Sequence, residues 1–205
     1  MTLSPRFGQA LAYAAGLHSN QYRKADGSPY VSHLLAVASI VLEHGADEDE
    51  AIAALLHDGP EDQGGRATLD DIRQRFGERV AHIVAGCCDT MESPKPAWRP
   101  RKEAFIESMR TADPAVQRVV MADKLHNIRS IIRQYRLQGD AIWDYFREGR
   151  EGSVWYHAAM VDALKEGHAD PELLMQLETA VMDLEDLGRR VRNLDSSLVW
   201  YLGYP

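Results

Sequence analysis

Cysteine is nearly absent from this chain of 205 residues, which has only Cys87 and Cys88. Adjacent cysteines match neither a disulfide framework nor the usual paired spacing of a zinc site. They predict buried structural thiols in a reducing compartment, so we expect a cytoplasmic protein.

Long apolar runs are absent as well. The N-terminal stretch MTLSPRFGQALAYAAGLHSN has one arginine and is interrupted by Gln9 and His18, unlike a signal peptide. No run approaches the roughly 18 apolar residues that a membrane-spanning helix needs. The sequence therefore predicts a soluble protein that does not use a membrane as its partner.

An excess of positive charge is absent, since 31 Asp or Glu against 23 Lys or Arg give a net charge of −8 at pH 7. This balance argues against nucleic acid as the general partner, because binding a phosphate backbone requires a basic surface. The exception is the segment from Lys95 to Arg136, which has ten Lys or Arg residues against four Asp or Glu. Such a segment favours a compact anionic ligand, although solvated helix faces explain it equally well.

Strand patterns are also scarce, whereas helical periodicity runs through nearly the whole chain. We find no internal repeat and no low-complexity tract that would divide the sequence. We therefore expect one all-α helical bundle over residues 1–205, with C-terminal amphipathic helices at about 153–195 packed on the rest.

Several local signals predict where helices begin and end. Gly59 follows an apolar helical segment, as residues just beyond a helix C-terminus do. Thr68 and Asp71 form a capping-box pattern, and Asp113–Pro114 fits a cap followed by proline in the first turn. The stretch MESPKPAWRP, residues 91–100, contains three prolines and predicts a loop.

Four polar residues fall where helical periodicity predicts core positions or helix ends: His33, His57, Asp58 and Asp123. One stripe of a long predicted helix consists of Val116, Val119, Asp123, Asn127 and Ile131. A lone buried aspartate is costly unless it is paired or binds a metal. Each residue taken singly also fits a structural role, such as a core histidine satisfied by hydrogen bonds.

Taken together, the four residues predict a metal site. Two imidazoles and two carboxylates from three helices suit a divalent ion such as Mn²⁺ or Fe²⁺ and leave positions open for water. Because the set has no thiolate, a closed structural zinc site does not fit, and we expect a catalytic centre.

The order of these residues resembles that of the HD-domain metal-dependent phosphohydrolases, whose fold is an HD-domain helical bundle. The segments RKADGSPYVSH, AALLHDGPED, FGERVAHIV and MADKLHNIRS are similar to motifs of the RelA/SpoT hydrolase domain. The motif core covers about residues 11–135. Because nothing in the chain resembles a synthetase, TGS or ACT domain, it is most similar to the stand-alone small alarmone hydrolases.

The resemblance implies a role for each matching residue. His33, His57, Asp58 and Asp123 match the metal ligands, and Mn²⁺ is the usual ion. The acidic pair that positions and activates water is matched by Glu61 and Asp62, and the nucleotide contacts are matched by Arg23, Lys24, Asn127 and Ser130. The implied reaction removes the 3′-pyrophosphate from ppGpp or an adenine relative, so the partner is a small nucleotide polyphosphate.

Two further expectations concern segments around the motifs. Gly59–Pro60 is expected to end the ligand helix and turn the chain, so that Glu61 and Asp62 lie over the metal. In the basic segment, Arg101 and Lys102 are candidates for a phosphate contact or a lid, together with Trp98. A solvated loop with Trp98 as its anchor fits the same residues.

Two alternative functions remain open on the sequence. One is an HD phosphohydrolase that acts on a nucleotide monophosphate or on NADPH, and the other is a nucleotide-binding regulator without catalysis. The intact Glu61–Asp62 pair favours an enzyme. The sequence contains no signal for an oligomeric state.

Overall fold

The computed structural model describes residues 2–167 and 170–198, and its named secondary-structure elements are all helices. The helices are α1 (Pro5–Leu17), α2 (Val31–Glu43), α3 (Glu48–Leu56), α4 (Gly59–Asp62), α5 (Gly65–Phe76), α6 (Glu78–Cys87), α7 (Trp98–Met109), α8 (Pro114–Gln138), α9 (Gly149–Lys165) and α10 (Pro171–Leu198). A 3-10 helix, Gly139–Tyr145, joins α8 to the chain before α9. Within the described ranges the only strand-like pairing is an isolated bridge between Tyr22 and Pro29. The prediction of an all-α bundle is confirmed.

Capping side chains explain several helix starts. Asp47 and Glu50 form a reciprocal capping box at the start of α3, which satisfies two backbone N–H groups that the helix leaves unpaired. At α8 the side chain of Asp113 accepts from the backbone N–H of Ala115, and Pro114 occupies the first turn, as predicted.

The predicted cap at Thr68 is wrong. Helix α5 begins three residues earlier, because Gly64 and Gly65 have positive φ angles of 116° and 63° and turn the chain there. Thr68 therefore lies inside the helix, where its hydroxyl donates to the backbone oxygen of Gln63. The predicted loop 91–100 is irregular only as far as residue 97, since Trp98 begins α7.

Helix α8 lies at the centre of the bundle and packs against α2, α3, α6 and α10. Its buried aliphatic residues include Val119, Leu125 and Ile128, each fully excluded from solvent. Burial of such side chains contributes about 1.5–3 kcal/mol each and is the main force that holds the helices together. Asp123 lies on this central helix, so its carboxylate is carried into the interior of the bundle.

The C-terminal helices cover the remaining side of the bundle. Helix α9 packs against α7, and α10 packs against α8 and α9. The single domain over 1–205 stays a prediction, and residues 1, 168–169 and 199–205 lie outside the described residues. None of the helices in the described part is long and apolar enough to span a membrane.

Candidate active site

The four predicted metal residues come from three parts of the bundle and meet in its interior. His33 lies in the first turn of α2, His57 and Asp58 lie between α3 and α4, and Asp123 lies midway along α8. The Nε2 atom of His33 is 3.4 Å from Oδ2 of Asp58 and 3.2 Å from Oδ1 of Asp123. The corresponding distances from Nε2 of His57 are 3.1 Å and 3.8 Å.

Both imidazoles direct an unpartnered nitrogen at these carboxylates. Nδ1 of His57 lies 2.9 Å from the backbone oxygen of Ala54, to which it donates, so its Nε2 carries a lone pair in the neutral ring. Nδ1 of His33 lies 2.7 Å from Nδ1 of His126. Among the described residues, neither Nε2 has a hydrogen-bond partner, although both are buried.

This arrangement fits a cation. Lone pairs on two nitrogens and two carboxylate oxygens repel one another unless a positive charge lies between them. Burial lowers the pKa of His57, but the negative charges of Asp58 and Asp123 outweigh burial and raise that pKa well above its usual value, so a proton supplies the positive charge when no metal is bound. The ligand atoms of His33, His57 and Asp58 lie within 4.8 Å of one another, close enough for a single metal ion.

Three residues that the sequence reasoning missed orient the cluster. The hydroxyl of Tyr30 donates to Oδ2 of Asp58 at 2.7 Å, and burial and the Asp58 charge raise the pKa of Tyr30 so that it keeps its proton. Lys124 donates to Oδ2 of Asp123 at 2.6 Å, while His126 supports His33. Partners that hold ligands in this way fix their orientation. Tyr30 precedes His33 by one helical turn, and Lys124 and His126 follow Asp123 within three residues on α8. This closeness to the predicted ligands is the sequence signal that could have identified them.

The acidic pair lies on α4, and here the predicted bend is wrong. Helix α3 already ends at Leu56, and Gly59–Pro60 begins a separate helical turn instead of ending one. Proline suits this position because its missing N–H is not needed in a first turn. Gly59 is tightly packed, since a Cβ there would lie 3.0 Å from Cδ2 of Leu17, and that side chain would have to move slightly.

Lys95 links the two carboxylates of the acidic pair. Its Nζ lies 2.8 Å from Oε1 of Glu61 and 3.2 Å from Oδ1 of Asp62. Asp62 also accepts from Nε2 of Gln21 at 2.9 Å. Burial, followed by the negative charge of Asp89, raises the pKa of Glu61 above its usual value, although Lys95 opposes this effect.

A cavity of about 440 Å³ connects the acidic pair with the predicted nucleotide contacts. Arg23, Lys24, Asn127 and Ser130 all line it. Nη2 of Arg23 donates to Oδ1 of Asn127 at 2.8 Å, and Nδ2 of Asn127 donates to Oδ1 of Asp123. A hydrogen-bonded path therefore runs from Arg23 in the cavity wall to the His–Asp cluster, which consists of His33, His57, Asp58 and Asp123.

The two predicted cations of α7 are held by one buried carboxylate. Arg101 and Lys102 both donate to Oδ2 of Asp89, whose side chain is 2% exposed. Lys102 lines the cavity, whereas Arg101 is not among the residues that line it. Nη1 of Arg101 lies 3.9 Å from Oε1 of Glu61. Trp98 lines the cavity from the start of α7 and packs edge-on against Trp155 of α9.

Helix α9 supplies a wall of the cavity that the sequence reasoning did not assign. Its cavity-lining residues are Ser153, Tyr156 and His157. Nδ1 of His157 lies 2.7 Å from the backbone oxygen of Ser153, and burial lowers the pKa of His157 to about 4. This histidine is therefore neutral at pH 7. No motif marks these residues, since they appear in the sequence only as part of an amphipathic helix.

Comparisons with known proteins agree with this geometry. A family model described as HD domain matches residues 10–154. The human guanosine-3′,5′-bis(diphosphate) 3′-pyrophosphohydrolase MESH1 is 35% identical over 128 residues, which are 61% of this chain and 69% of that protein. The bifunctional (p)ppGpp synthase/hydrolase SpoT of Escherichia coli K12 is 37% identical over 132 residues, 62% of this chain and 18% of SpoT.

A probable GTP pyrophosphokinase of Mycobacterium leprae is 38% identical over 125 residues, 60% of this chain and 15% of that protein. This chain therefore spans less than a fifth of the length of these long bacterial relatives. Among solved structures, a metazoan SpoT orthologue described as hydrolysing ppGpp superposes with a TM-score of 0.74 at 26% identity, over 89% of this chain and 97% of the other. The crystal structure of lmo0812 from Listeria monocytogenes EGD-e gives 0.63 at 31% identity, over 73% and 96%.

Proposed function

The chain belongs to the HD-domain family, and from that premise we propose that it is a metal-dependent hydrolase of guanosine or adenosine 3′,5′-polyphosphates that releases the 3′-pyrophosphate. One observation carries the proposal: two buried, unpartnered imidazole nitrogens face two carboxylates, and hydrogen bonds from Tyr30 and Asn127 join these carboxylates to a cavity that is lined by a second acidic pair and several cations. Relatives named for this activity support the choice of substrate.

The proposed metal ligands are His33, His57, Asp58 and Asp123. Two nitrogens and two oxygens suit Mn²⁺, with Fe²⁺ as an alternative. When bound, such an ion acts as a Lewis acid on phosphoryl oxygens and lowers the pKa of water. Tyr30 and Lys124 hold Asp58 and Asp123 in place for this role.

Glu61 is the proposed general base. Its raised pKa brings it closer to the operating pH, which favours proton transfer from water. Asp62 and Lys95 fix its position, since Lys95 contacts both carboxylates. The attacking water gives its proton to Glu61 and its oxygen to the phosphorus atom next to the ribose. The bond from that phosphorus to O3′ breaks, and O3′ keeps the electron pair and takes up a proton.

The cavity wall provides charge for the rest of the substrate. Arg23, Lys24, Asn127 and Ser130 would contact the nucleoside and its 5′-phosphates, and Lys95 and Lys102 would face the 3′-phosphates. Fixed cations in a site shielded from water stabilise the charge that develops on phosphoryl oxygens. The reaction is proposed to take place in the cytoplasm, where free cysteines such as Cys87 and Cys88 stay reduced.

A product assay tests the proposal. Purified protein is stripped of metal, reloaded with Mn²⁺ or Fe²⁺, and incubated with ppGpp, its adenine counterpart or NADPH, and the products are separated by chromatography. We expect metal-dependent release of pyrophosphate from at least one of the two alarmones. Release of orthophosphate from NADPH alone would contradict the proposal, and so would tight binding of all three compounds without turnover.

A further inference from the structure

The hydroxyl of Tyr156 on α9 is buried without a partner. Tyr156 is 6% exposed and lines the cavity, yet its hydroxyl forms no hydrogen bond with any part of the chain that the structure describes. Buried polar groups are almost always paired, because leaving one unsatisfied destabilises the fold. The position of Tyr156 in the cavity wall therefore points to a ligand as the missing partner.

Two ammonium groups flank the same ring. Nζ of Lys102 lies 4.7 Å from the ring centroid of Tyr156, and Nζ of Lys124 lies 5.4 Å from it. Both lysines line the cavity, and their side chains are only 16% and 12% exposed. Each ammonium has three N–H donors and contacts one carboxylate, that of Asp89 for Lys102 and that of Asp123 for Lys124. Donors therefore remain for a ligand.

This group of donors is adjacent to the His–Asp cluster. The carboxylate of Asp123 separates the two, because its Oδ1 is 3.2 Å from Nε2 of His33 and its Oδ2 is 2.6 Å from Nζ of Lys124. A phosphate bound at the cluster would therefore lie close to Lys124, because only the carboxylate of Asp123 lies between them. In a pyrophosphate the second phosphorus lies one bridging oxygen beyond the first, so the outer phosphate of a group bound at the cluster could extend towards Lys124.

We propose that Lys102, Lys124 and the hydroxyl of Tyr156 form a distal-phosphate subsite, which binds the outer phosphate of the 3′-pyrophosphate and makes the protein prefer pyrophosphoryl over monophosphoryl groups. The inference rests on the proposed function and specifies which part of the substrate these three side chains contact. Two cations and a hydroxyl donor suit a multiply charged oxyanion, because hydrogen bonds to ionised acceptors are stronger than those between neutral groups. Helix α9 thereby acts in substrate selection although it lies outside the motifs.

A binding experiment tests the subsite without relying on turnover. Pyrophosphate and orthophosphate are titrated separately into the Mn²⁺-loaded full chain, and the heat of binding is measured. Wild-type protein should bind pyrophosphate more tightly. Tyr156→Phe keeps the ring and removes one hydroxyl, so its affinity for pyrophosphate should fall about tenfold while that for orthophosphate stays the same.

Two further variants make the outcome decisive. Lys102→Met removes a charge and should weaken pyrophosphate binding about ten- to a hundredfold. Tyr13→Phe is the matched control, because Tyr13 lies on α1 against Phe76 and away from the cavity. It should bind both anions like the wild type. An unchanged pyrophosphate affinity in Tyr156→Phe, or equal losses for both anions, would overturn the subsite.

Turnover separates this inference from the proposed function. If the wild type releases pyrophosphate from an alarmone but Tyr156→Phe binds pyrophosphate normally, the subsite is wrong and the function stands. If no alarmone is hydrolysed but the preference for pyrophosphate depends on Tyr156, the subsite stands and the substrate is a different pyrophosphorylated compound. With an active enzyme, Tyr156→Phe should raise KM for a 3′-pyrophosphate and leave KM for the matching 3′-monophosphate unchanged.

Discussion

The two sides of the cavity are built in different ways. The motif side consists of the cavity-lining residues of α4 and α8 together with the His–Asp cluster to which Asn127 joins them. Short motifs there place imidazoles and carboxylates within hydrogen-bond distance of one another, and Tyr30 and Lys124 support the carboxylates. On the side formed by α7 and α9, cations and aromatic rings pack on one another and no compact motif is present. The comparison suggests that the first side performs the chemistry and the second side selects the substrate.

The largest effect is expected from Asp58→Asn, on the motif side. The change keeps the shape and removes the charge that the two imidazoles face, so bound metal and activity should both fall below detection. Added Mn²⁺ should raise the melting temperature of the wild type but not that of the variant. Metal analysis and thermal unfolding measure both results.

Asp70→Asn is the control for this change, since Asp70 lies on the outer face of α5 and pairs with Arg73. It should retain metal and activity. If Asp58→Asn kept a full complement of metal, Asp58 would not be a ligand, and the chemical role of the motif side would need another basis.

The next largest effect is expected from replacing Glu61. It distinguishes the proposed base, Glu61, from the proposed metal ligand Asp58 in the same segment. Glu61→Gln should leave metal content and substrate affinity nearly intact and lower kcat by roughly 10²–10⁴-fold, as expected for a lost general base. Single-turnover kinetics with metal analysis on the same preparation provide the measurement. A variant with turnover close to the wild type would show that the carboxylate of Glu61 only supports the fold.

A smaller effect is expected from Arg23→Ala. Arg23 contacts Asn127 and lines the cavity, so its loss should raise KM about tenfold while kcat changes little, because a fixed cation binds ground state and transition state alike. Arg73→Ala, on the surface of α5, is the matched control. An Arg23→Ala enzyme with normal KM and a reduced kcat would assign Arg23 to the chemical step.

The smallest effect is a change in the pH profile. Glu61 must be ionised to accept a proton, so activity should be lost as the pH falls through its pKa, which burial and Asp89 raise. Lys95 lowers that pKa, so Lys95→Met should raise it and move the acid limb of the kcat profile to higher pH. A shift towards lower pH would mean that another group controls this limb.

Much of the motif side could be predicted from the sequence. Helical periodicity predicted the burial of Asp123, because Val119 and Ile131 on the same stripe of α8 are buried too. His33, His57 and Asp58 could be grouped with it because each is an uncommon residue at a buried position or a helix end. The structure brings the ligand atoms of His33, His57 and Asp58 within 4.8 Å of one another and places Oδ1 of Asp123 3.2 Å from Nε2 of His33, and the role of the four as metal ligands stays a prediction.

The α9 side could not be predicted in the same way. Tyr156 and His157 fall on an ordinary amphipathic helix, and the packing of α9 against α7 and α10 brings them to the cavity. The prediction of two helix boundaries, at Gly59–Pro60 and at Thr68, was wrong for a related reason. The residues there are compatible with more than one position of a helix end or start. Tertiary contacts decide between such choices, and a single sequence does not contain them.

The most direct test of the central claim follows the oxygen of water. The metal-loaded enzyme is run on ppGpp in water enriched in the heavy isotope of oxygen, and the products are analysed by mass spectrometry. If water attacks the phosphorus next to the ribose and the bond to O3′ breaks, the label appears in pyrophosphate and GDP remains unlabelled. Label in GDP, or release of labelled orthophosphate in place of pyrophosphate, would contradict the account.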